Sequence, residues 1–490
     1  MKDSLTKGTK KGVRSKKNEK PGLKDMIINT SAVELCQKYR AEKLSIPEIV
    51  SAFLDQIEAV NFKVNAIIAL RPRAQIMAEA EAMQNAKGRG PLYGLPVAIK
   101  DLNDTKGITT TYGSPIYKDH VPTQDSLTVT RLRQAGALIV GKTNTPEFGL
   151  GSHSYNPVNG VTVNPYDLTR SAGGSSGGAA AALAAKMLPI ADGSDMMGSL
   201  RNPAGWNNVY GFRPSYGLVP AEPSGDSFLH QLSTHGPMAR TIRDLDLMLK
   251  VMGVPDPRSP HSVGQFSGMG ETPVKGTKIG WIADWDGYYP MENGVLELCQ
   301  KAGDVLADVG CKITPVSLPF SPEDLWHAWV TLRSFAVASG EGDLFKNPKT
   351  RDLLKPEMQW EIERGLALSA RDVQAANVVR SQWFRTIAAM DVDMLALPCA
   401  QMFPFDAKLH WPEMIAGHKM DTYHRWMEIV IPASLIGLPA LCVPAGFGPQ
   451  GLPMGLQLIG KRGCDGQVLR VGEAYHQATR YPQEYQPDLT

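Results

Sequence analysis

Apolar residues recur along this chain at helical spacing near the N-terminus and in short continuous runs after it. Ser45-Ile46-Pro47-Glu48 is a capping box with proline in the first turn, and apolar side chains from Ile49 to Ile57 then share one helical face. An alanine-rich stretch over 74–87 predicts a second helix that stops at Gly88. The pattern therefore predicts an N-terminal helical layer.

The following stretches alternate between apolar runs and helical patterns. The runs at 95–99, 137–140 and 188–191 predict buried strands, and the patterns at 126–134, 179–187 and 242–252 predict helices. Strands that are apolar on both faces and separated by helices are typical of a layered α/β sheet. We therefore expect an α/β core in the central part of the chain.

Two later regions differ from this core in composition. Residues 255–277 are rich in Pro, Gly and Ser, which predicts a surface excursion. Residues 321–420 carry five of the nine tryptophans. Most of these tryptophans are expected to pack in the interior, while the region as a whole is the one we expect to vary and to lie over the site.

The basic excess of the chain is local. Residues 1–24 hold eight Lys and one Arg against Asp3 and Glu19, whereas the formal net charge of all 490 residues is +2. The remaining body is mildly acidic, which argues against a nucleic-acid-binding enzyme surface. Because residues 1–24 lack a secretory apolar segment and helical periodicity, we expect a disordered basic tail, with contact to nucleic acid or an anionic surface as a less favoured role.

Cysteine and proline usage indicate the compartment. The six cysteines are scattered without a Cys-x-x-Cys pair, which predicts free thiols in a reducing environment. The most apolar late stretch, 429–447, contains three prolines and Gly437, so it predicts buried strands and turns and not a membrane span. With no targeting segment apparent, we expect a cytoplasmic protein.

Two glycine-flanked turns carry the candidate chemistry. The first is Gly-Gly-Ser-Ser-Gly-Gly at 173–178, and the second spans 193–204 with Ser199 inside it. Lys100 stands upstream, at the end of the apolar run 95–99. Two hydroxyls and an amine of this kind can form a serine nucleophile with a lysine base. Because the ordinary lysine pKa of about 10.4 suits a base poorly at neutral pH, Lys100 must be desolvated to act.

One short motif suggests nucleotide binding instead. Residues 136–143 match the phosphate-binding pattern G-x-x-x-x-G-K-[ST]. A P-loop needs a strand before its first glycine and a helix after its Lys-Thr. Here the residues between Gly136 and Gly141 are themselves a predicted strand, and Pro146 follows soon after. Nucleotide binding is therefore disfavoured.

A second short motif suggests an esterase of the α/β-hydrolase type. Residues 174–178 match G-x-S-x-G, the nucleophile elbow, with Ser176 as nucleophile and His230, His235 or His424 as an available base. That elbow must end an apolar strand, whereas residues 164–172 predict a loop. We keep this enzyme class as an alternative.

Several motifs in order resemble the amidase signature family. They are GLPVAIKD at 94–101, GKTN at 141–144, EF at 147–148, GGSSGG at 173–178, SLRNPA at 199–204, GFRP at 211–214 and GPMART at 236–241, with weaker matches at 437–440 and 455–460. The resemblance implies one large α/β domain over 25–490, built on a mixed twisted β-sheet covered by helices. Its catalytic core would lie at about 94–256, with residues 321–420 covering the pocket.

The resemblance also implies a role for each residue of the expected site. Ser199 corresponds to the nucleophile, Ser175 to a bridging serine that follows a cis peptide bond, and Lys100 to the base. It further implies an oxyanion hole made by the backbone N–H groups of Met196, Met197, Gly198 and Ser199, a bracing pair of Asp195 and Arg201, and substrate contacts from Leu150, Gly151, Ser152 and His153. A structural role fits His153 equally well.

Two positions depart from the family pattern. Met197 stands where a glycine is usual, so its side chain must point away from the reacting carbonyl or shape the pocket. Asn202 stands where the glutamyl-tRNA amidotransferase subunits of the family carry Gln, which together with the acidic body lowers a tRNA-linked interpretation. An amidotransferase subunit that acts in a complex, or a degenerate partner-binding subunit, remains an alternative.

We therefore expect an amidohydrolase that acts on linear carboxylic amides through an acyl-enzyme on Ser199, with aryl amides, esters and carbamates as further candidate substrates. The expected reaction uses no metal and no cofactor. The expected partner is a small-molecule amide, with no nucleic acid and no membrane span. Neither the particular substrate nor the oligomeric state follows from the sequence.

Overall fold

The structure is a computed structural model that describes residues 22–86, 88–229 and 232–489. The helices are α1 (Leu23–Asn29), α2 (Ala32–Arg40), α3 (Ile46–Val64), α4 (Arg73–Ala86), α5 (Leu127–Gln134), α6 (Gly177–Ala184), α7 (Asn202–Trp206), α8 (Ile242–Met252), α9 (Val295–Asp308), α10 (Pro322–Lys346), α11 (Pro348–Arg351), α12 (Pro356–Leu366), α13 (Ala370–Ala389), α14 (Ile431–Ser434), α15 (Asp465–Thr479) and α16 (Tyr481–Glu484), with short 3₁₀ turns at Pro115–Tyr117, Glu147–Gly149 and Arg425–Val430. The strands are β1 (Ile67–Ile68), β2 (Pro96–Lys100), β3 (Leu138–Thr143), β4 (Tyr155–Asn156), β5 (Gly160–Val161), β6 (Val163–Asn164), β7 (Asp167–Ser171), β8 (Ile190–Asp195), β9 (Tyr210–Arg213), β10 (Thr234–Ala239), β11 (Lys278–Trp281), β12 (Lys312–Pro315), β13 (Met394–Pro398), β14 (Met414–Ile415), β15 (His418–Lys419), β16 (Ala440–Phe447) and β17 (Pro453–Gly460). The predicted basic tail lies outside the described residues except at its end, where Leu23 and Lys24 begin α1.

An eight-stranded sheet, in the order β12-β11-β13-β17-β16-β9-β10-β8, forms the centre of the molecule. Strands β12, β11 and β13 run parallel, whereas the other neighbours pair antiparallel. A smaller sheet, β1-β3-β2, stands beside it. The prediction of a mixed sheet covered by helices is confirmed, and the two sheets meet where β2 approaches β8.

Elements with a local signal begin where the sequence predicts. The Ser45 hydroxyl accepts from Glu48 N (3.3 Å) and the Glu48 carboxylate accepts from Ser45 N (2.8 Å), which is the capping box at the start of α3. The predicted strands at 95–99, 137–140 and 188–191 appear as β2, β3 and β8. Each of these strands runs on into buried polar residues, and Lys100, Lys142 and Asp195 among them find hydrogen-bond partners in the interior.

The prediction of a loop at 164–172 is wrong, because β6 and β7 form a two-stranded hairpin there. Asn164 Oδ1 accepts from Tyr166 N at 2.9 Å and closes the turn, and Ser171 N donates to the carbonyl of Phe405 at 2.8 Å. Asp, Thr and Arg in β7 are weak or exposed strand formers, so the hairpin depends on these contacts and not on an apolar pattern.

Residues 321–420 include the four helices α10–α13, of which α10 packs against the other three. Trp326, Trp329 and Trp383 are buried, as expected for interior packing, and Trp360 and Trp411 are partly buried. The stretch 429–447 folds as α14 and β16. Among the described residues no helix is long and apolar enough to cross a membrane, and the six cysteines are free.

Candidate active site

Lys100 is the last residue of β2, and its side chain is fully buried. Its Nζ donates to Ser175 Oγ (2.8 Å), to Ser176 Oγ (2.8 Å) and to Ser194 Oγ (3.0 Å). Burial disfavours the charged amine and lowers the pKa of Lys100 to about 7, although Asp192 and Asp195 oppose this shift. The lysine is therefore held among hydroxyls, and a neutral amine is accessible near neutral pH.

The end of β2 is anchored to β8 by a side chain. Asp192 Oδ1 accepts from Lys100 N at 2.9 Å, and Asp192 Oδ2 accepts from Asn103 Nδ2 at 2.9 Å. Lys142, the lysine of the P-loop-like motif, is also buried and donates to the hydroxyls of Thr105 and Thr110 at 3.0 Å. Residues 138–143 form β3, as expected, so this motif is a strand inside the core.

The first glycine-serine turn approaches the second closely. The Gly174–Ser175 peptide bond is cis, at the predicted position. Gly173 has a φ of +73°, and a Cβ there would lie 2.5 Å from Asn202 Oδ1, so only glycine fits. The turn is held from outside by Ser152, whose Oγ donates to the carbonyl of Gly174 at 2.9 Å.

In the second turn, three backbone amides have no hydrogen-bond partner among the described residues, and one of them is that of Ser199 itself. Of the four backbone N–H groups predicted for an oxyanion hole, that of Gly198 donates to Asp195 Oδ1 at 2.9 Å. Those of Met196, Met197 and Ser199 donate no hydrogen bond to any residue that the structure describes. Within that same part of the chain, no hydrogen bond joins Ser199 Oγ to Ser175. The predicted Lys100–Ser175 contact is therefore present and the predicted Ser175–Ser199 contact is not.

A buried carboxylate supports this second turn. Asp195 accepts two bonds from Arg201, each of 3.0 Å, and one of 3.0 Å from Arg213 Nη1. All three side chains are fully buried. Burial alone would raise the pKa of Asp195, but the two guanidinium groups hold it well below its usual range. The predicted Asp195–Arg201 pair is present; Arg213 was missed, although it belongs to the GFRP motif.

The segment predicted to contact substrate is tied to its surroundings. Leu150 packs against helices α10 and α12, and its carbonyl accepts from Lys355 Nζ at 2.6 Å. His153 contacts Ser171 Oγ (2.7 Å) and the carbonyl of Ala407 (3.1 Å) through its two ring nitrogens. Burial lowers the pKa of His153 to about 4. Ser152 and His153 thus hold the fold, and substrate contact by Leu150, Gly151, Ser152 and His153 stays a prediction.

Within the described part of the chain, the nucleophile-elbow alternative lacks the preceding core strand and the histidine base that it needs. Ser176 is fully buried, and β7 before it pairs with β6 in a two-stranded sheet and bridges to Asp406, outside the central sheet. Among the described residues, no histidine is hydrogen-bonded to Ser176. His235 lies opposite Ser194 in the β10–β8 pair, and His424 Nε2 lies 4.0 Å from Glu361 Oε1. His230 lies outside the described residues.

Sequence reasoning also missed a contact to the second turn, residues 193–204, which is the predicted nucleophile turn. Arg333, on α10, places Nη1 at 3.3 Å from the sulfur of Met196. The two residues are far apart in the chain, and no motif includes Arg333. Only the packing of α10 over the core brings them together.

Comparison with known proteins agrees with the motifs. The amidase family model matches residues 48–469. The chain is 34% identical to a glutamyl-tRNA(Gln) amidotransferase subunit from a Cyanothece species, over 92% of this chain and 99% of that protein. It is also 34% identical to an acylamidase of Rhodococcus erythropolis, over 90% of this chain and 93% of the relative. A bacterial aryl acylamidase of the amidase signature family has a TM-score of 0.85 at 28% identity, with 93% of this chain and 99% of that chain covered.

The chain belongs to the amidase family. It is therefore an enzyme that acts on amide C–N bonds, and it has the amidase signature fold.

Proposed function

We propose that this protein is an amidase that hydrolyses a carboxylic amide through an acyl-enzyme on Ser199, with Lys100 as base and Ser175 as bridging serine. The observation that carries the proposal is the buried Lys100 Nζ at 2.8 Å from Ser175 Oγ. The unpaired amides beside Ser199 support it, because they are donors for a developing negative charge.

Acylation follows from this geometry. Neutral Lys100 takes the proton of Ser175, Ser175 takes that of Ser199, and Ser199 Oγ forms a bond to the amide carbon. The resulting oxyanion accepts from the amides of Met196, Met197 and Ser199, each contributing about 3 kcal/mol. The proton returns through Ser175 to the leaving nitrogen as the C–N bond breaks. The Ser199 hydroxyl must turn toward Ser175 when substrate binds, since catalytic hydrogen bonds often form only in the complex.

Deacylation reuses the same groups. A water molecule gives a proton through Ser175 to Lys100 and attacks the ester carbon on Ser199. The acid leaves, and the proton returns to Ser199 Oγ. The products are an amine or ammonia and a carboxylic acid, with aryl amides, esters and carbamates as further candidate substrates.

The second candidate function is that of an amidotransferase component working with other chains. Its support is the 34% identity over nearly the full length of the Cyanothece relative. The acylamidase relative is equally similar, and Asn202 departs from the Gln of the amidotransferase subunits. We therefore place the stand-alone hydrolase first. A cytoplasmic location and the absence of a nucleic-acid partner stay predictions.

The test is hydrolysis by the purified chain alone. A panel of aliphatic and aryl amides, esters and carbamates is assayed for release of amine or alcohol, and quenched reactions are examined by mass spectrometry for an acyl group on Ser199. We expect turnover of at least one amide and a labelled Ser199 peptide. Turnover that appears only with added partner chains would favour the amidotransferase, and an acyl group on Ser176 would favour the elbow.

A further inference from the structure

A buried charged cluster in the helical layer formed by α10–α13 contacts the nucleophile turn. Arg333 is 2% exposed; its Nε donates to Glu361 Oε1 (2.7 Å) and its Nη2 to Tyr423 Oη (2.8 Å). The remaining nitrogen, Nη1, reaches Met196 Sδ at 3.3 Å. Arg333 therefore connects α10 and α12 to Met196, whose amide is one of the donors of the proposed oxyanion hole.

The contact at Nη1 is weak in comparison with the other two. A thioether sulfur is a poor acceptor, whereas a guanidinium offers five N–H donors. A buried donor without a good acceptor is costly. The methionine side chain has three rotatable bonds and is readily displaced. A carbonyl oxygen that took the place of the sulfur would satisfy Nη1 better.

The same cluster borders the segment predicted to contact substrate. A Cβ built on Gly151 would lie 3.9 Å from Tyr423 Cε2, and one built on Gly149 would lie 3.4 Å from Ser175 Oγ. The backbone from Gly149 to Gly151 thus runs from the bridging serine to the Arg333 cluster. Because Tyr423 is bonded to Arg333, a substrate that follows this backbone away from Ser199 approaches the Arg333 cluster.

The charges around Arg333 are already matched. Glu361 is paired with the guanidinium at 2.7 Å, and although burial raises its pKa, Arg333 draws the pKa below its usual value. Lys355, a neighbouring cation, has Glu147 and Glu357 beside it. A carboxylate bound at Nη1 would add an unmatched buried charge, which is expensive. A neutral carbonyl would not.

We propose that Arg333 Nη1 recognises a second, uncharged carbonyl on the substrate, so that the preferred substrates are amides that carry an additional amide or ester carbonyl. Arg333 is then a specificity-determining residue. The proposal rests on the proposed function, because it uses the same site and the same nucleophile.

The test compares matched substrates on the full chain. Each set holds three amides that differ at one position: an added amide carbonyl, a methylene of similar size, and a carboxylate. One series carries the group in the acyl part and another in the amine part. We expect the carbonyl member of at least one series to exceed the methylene member in kcat/KM by about 10- to 100-fold, the range of a hydrogen bond to a charged group. The carboxylate should fall below the carbonyl.

Variants then assign the preference to Arg333. Arg333→Lys should lower the carbonyl-to-methylene ratio toward one while the methylene substrate is still hydrolysed. Arg425→Lys is the matched control, because Arg425 lies in a similar ion pair of the same layer but binds Glu323 and Glu428. Its ratio should equal that of the wild type. If Arg333→Lys does not fold, the double variant Arg333→Met/Glu361→Gln removes both charges together.

Four results would overturn the inference. A ratio near one in both series for the wild type would show that no second carbonyl is recognised. An unchanged ratio in the Arg333 variants would assign the preference elsewhere, and a carboxylate preference lost in those variants would assign Arg333 to anionic substrates. If the wild type hydrolyses neither the methylene nor the carbonyl substrates, the proposed function is overturned as well. The other results leave the proposed function intact, so the two failures can be told apart.

Discussion

The nucleophile turn and the helical layer above it each bury an arginine–carboxylate pair, Arg201 with Asp195 and Arg333 with Glu361, and the two arginines differ in their acceptors. Arg201 meets oxygen acceptors with every nitrogen: Asp195 at Nε, Gln457 and the Val430 carbonyl at Nη1, and Asp195 and Ser434 at Nη2. Arg333 meets oxygen with two nitrogens and sulfur with the third. An arginine bonded to oxygen at every nitrogen fixes the geometry around it, whereas a nitrogen bonded only to a thioether sulfur can exchange that partner for a better acceptor on a ligand.

The two regions also differ in how much of each helix is buried. Every residue of α6, which follows the first serine turn, is buried, whereas α13 buries only Ala376, Trp383 and Ile387. Changes to the tightly packed or ion-paired side chains of the core should therefore affect activity and stability together. Changes on α13 should affect stability alone, and by less.

The largest expected effect is the loss of the nucleophile. Ser199→Ala should lower kcat/KM by more than about 10⁴-fold, because it removes the oxygen that attacks the amide carbon in the proposed reaction. Thermal unfolding should stay near that of the wild type. An active Ser199→Ala together with an inactive Ser176→Ala would transfer the nucleophile to the elbow.

The base should produce the next largest effect and a characteristic pH dependence. Lys100→Ala should lose about 10²- to 10⁴-fold in kcat/KM, and Lys100→Arg should be equally poor because a guanidinium stays protonated. Since burial lowers the pKa of Lys100 to about 7, the neutral amine prevails above that pH. The wild-type rate should therefore rise with pH through about 7. A rate that still rises only near the ordinary lysine pKa would contradict the assignment.

Removing the buried carboxylate that supports the nucleophile turn should destabilise the core. Asp195→Asn leaves Arg201 and Arg213 buried without a counter-charge, which typically costs about 3–5 kcal/mol of unfolding free energy. Denaturant unfolding measures the loss. Glu361→Gln, which leaves one arginine unmatched, is the corresponding change in the helical layer and should cost less. Equal losses would remove the distinction between the two regions.

The smallest expected effect lies at the start of α13. Ser369 and Asp372 form its capping box, in which Ser369 Oγ accepts from Asp372 N at 3.3 Å. Ser369→Ala should cost about 1 kcal/mol in denaturant unfolding and leave kcat/KM unchanged. Ser45→Ala, at the same position of α3, is the matched change. A loss of activity in Ser369→Ala would show that α13 is coupled to the site.

Several elements follow from neighbours in the chain. The capping box of α3 and the bounds of α8 agree with the sequence pattern, because caps and helical faces depend on residues three or four apart. The hairpin of β6 and β7 does not, because most of its strand residues are polar and its partners include the distant Phe405 carbonyl.

The sequence by itself determined which residues are the candidates for the proposed chemistry: Lys100, Ser175 and Ser199 stand in ordered glycine-rich motifs whose residue types suit a base, a relay and a nucleophile. Only the tertiary structure decided which amides are unpaired, that Gly198 is taken by Asp195, and that Arg213 and Arg333 reach the nucleophile turn. These properties arise from burial and from contacts between segments far apart in the chain. No local pattern encodes them, because a side chain becomes desolvated only when distant elements pack around it.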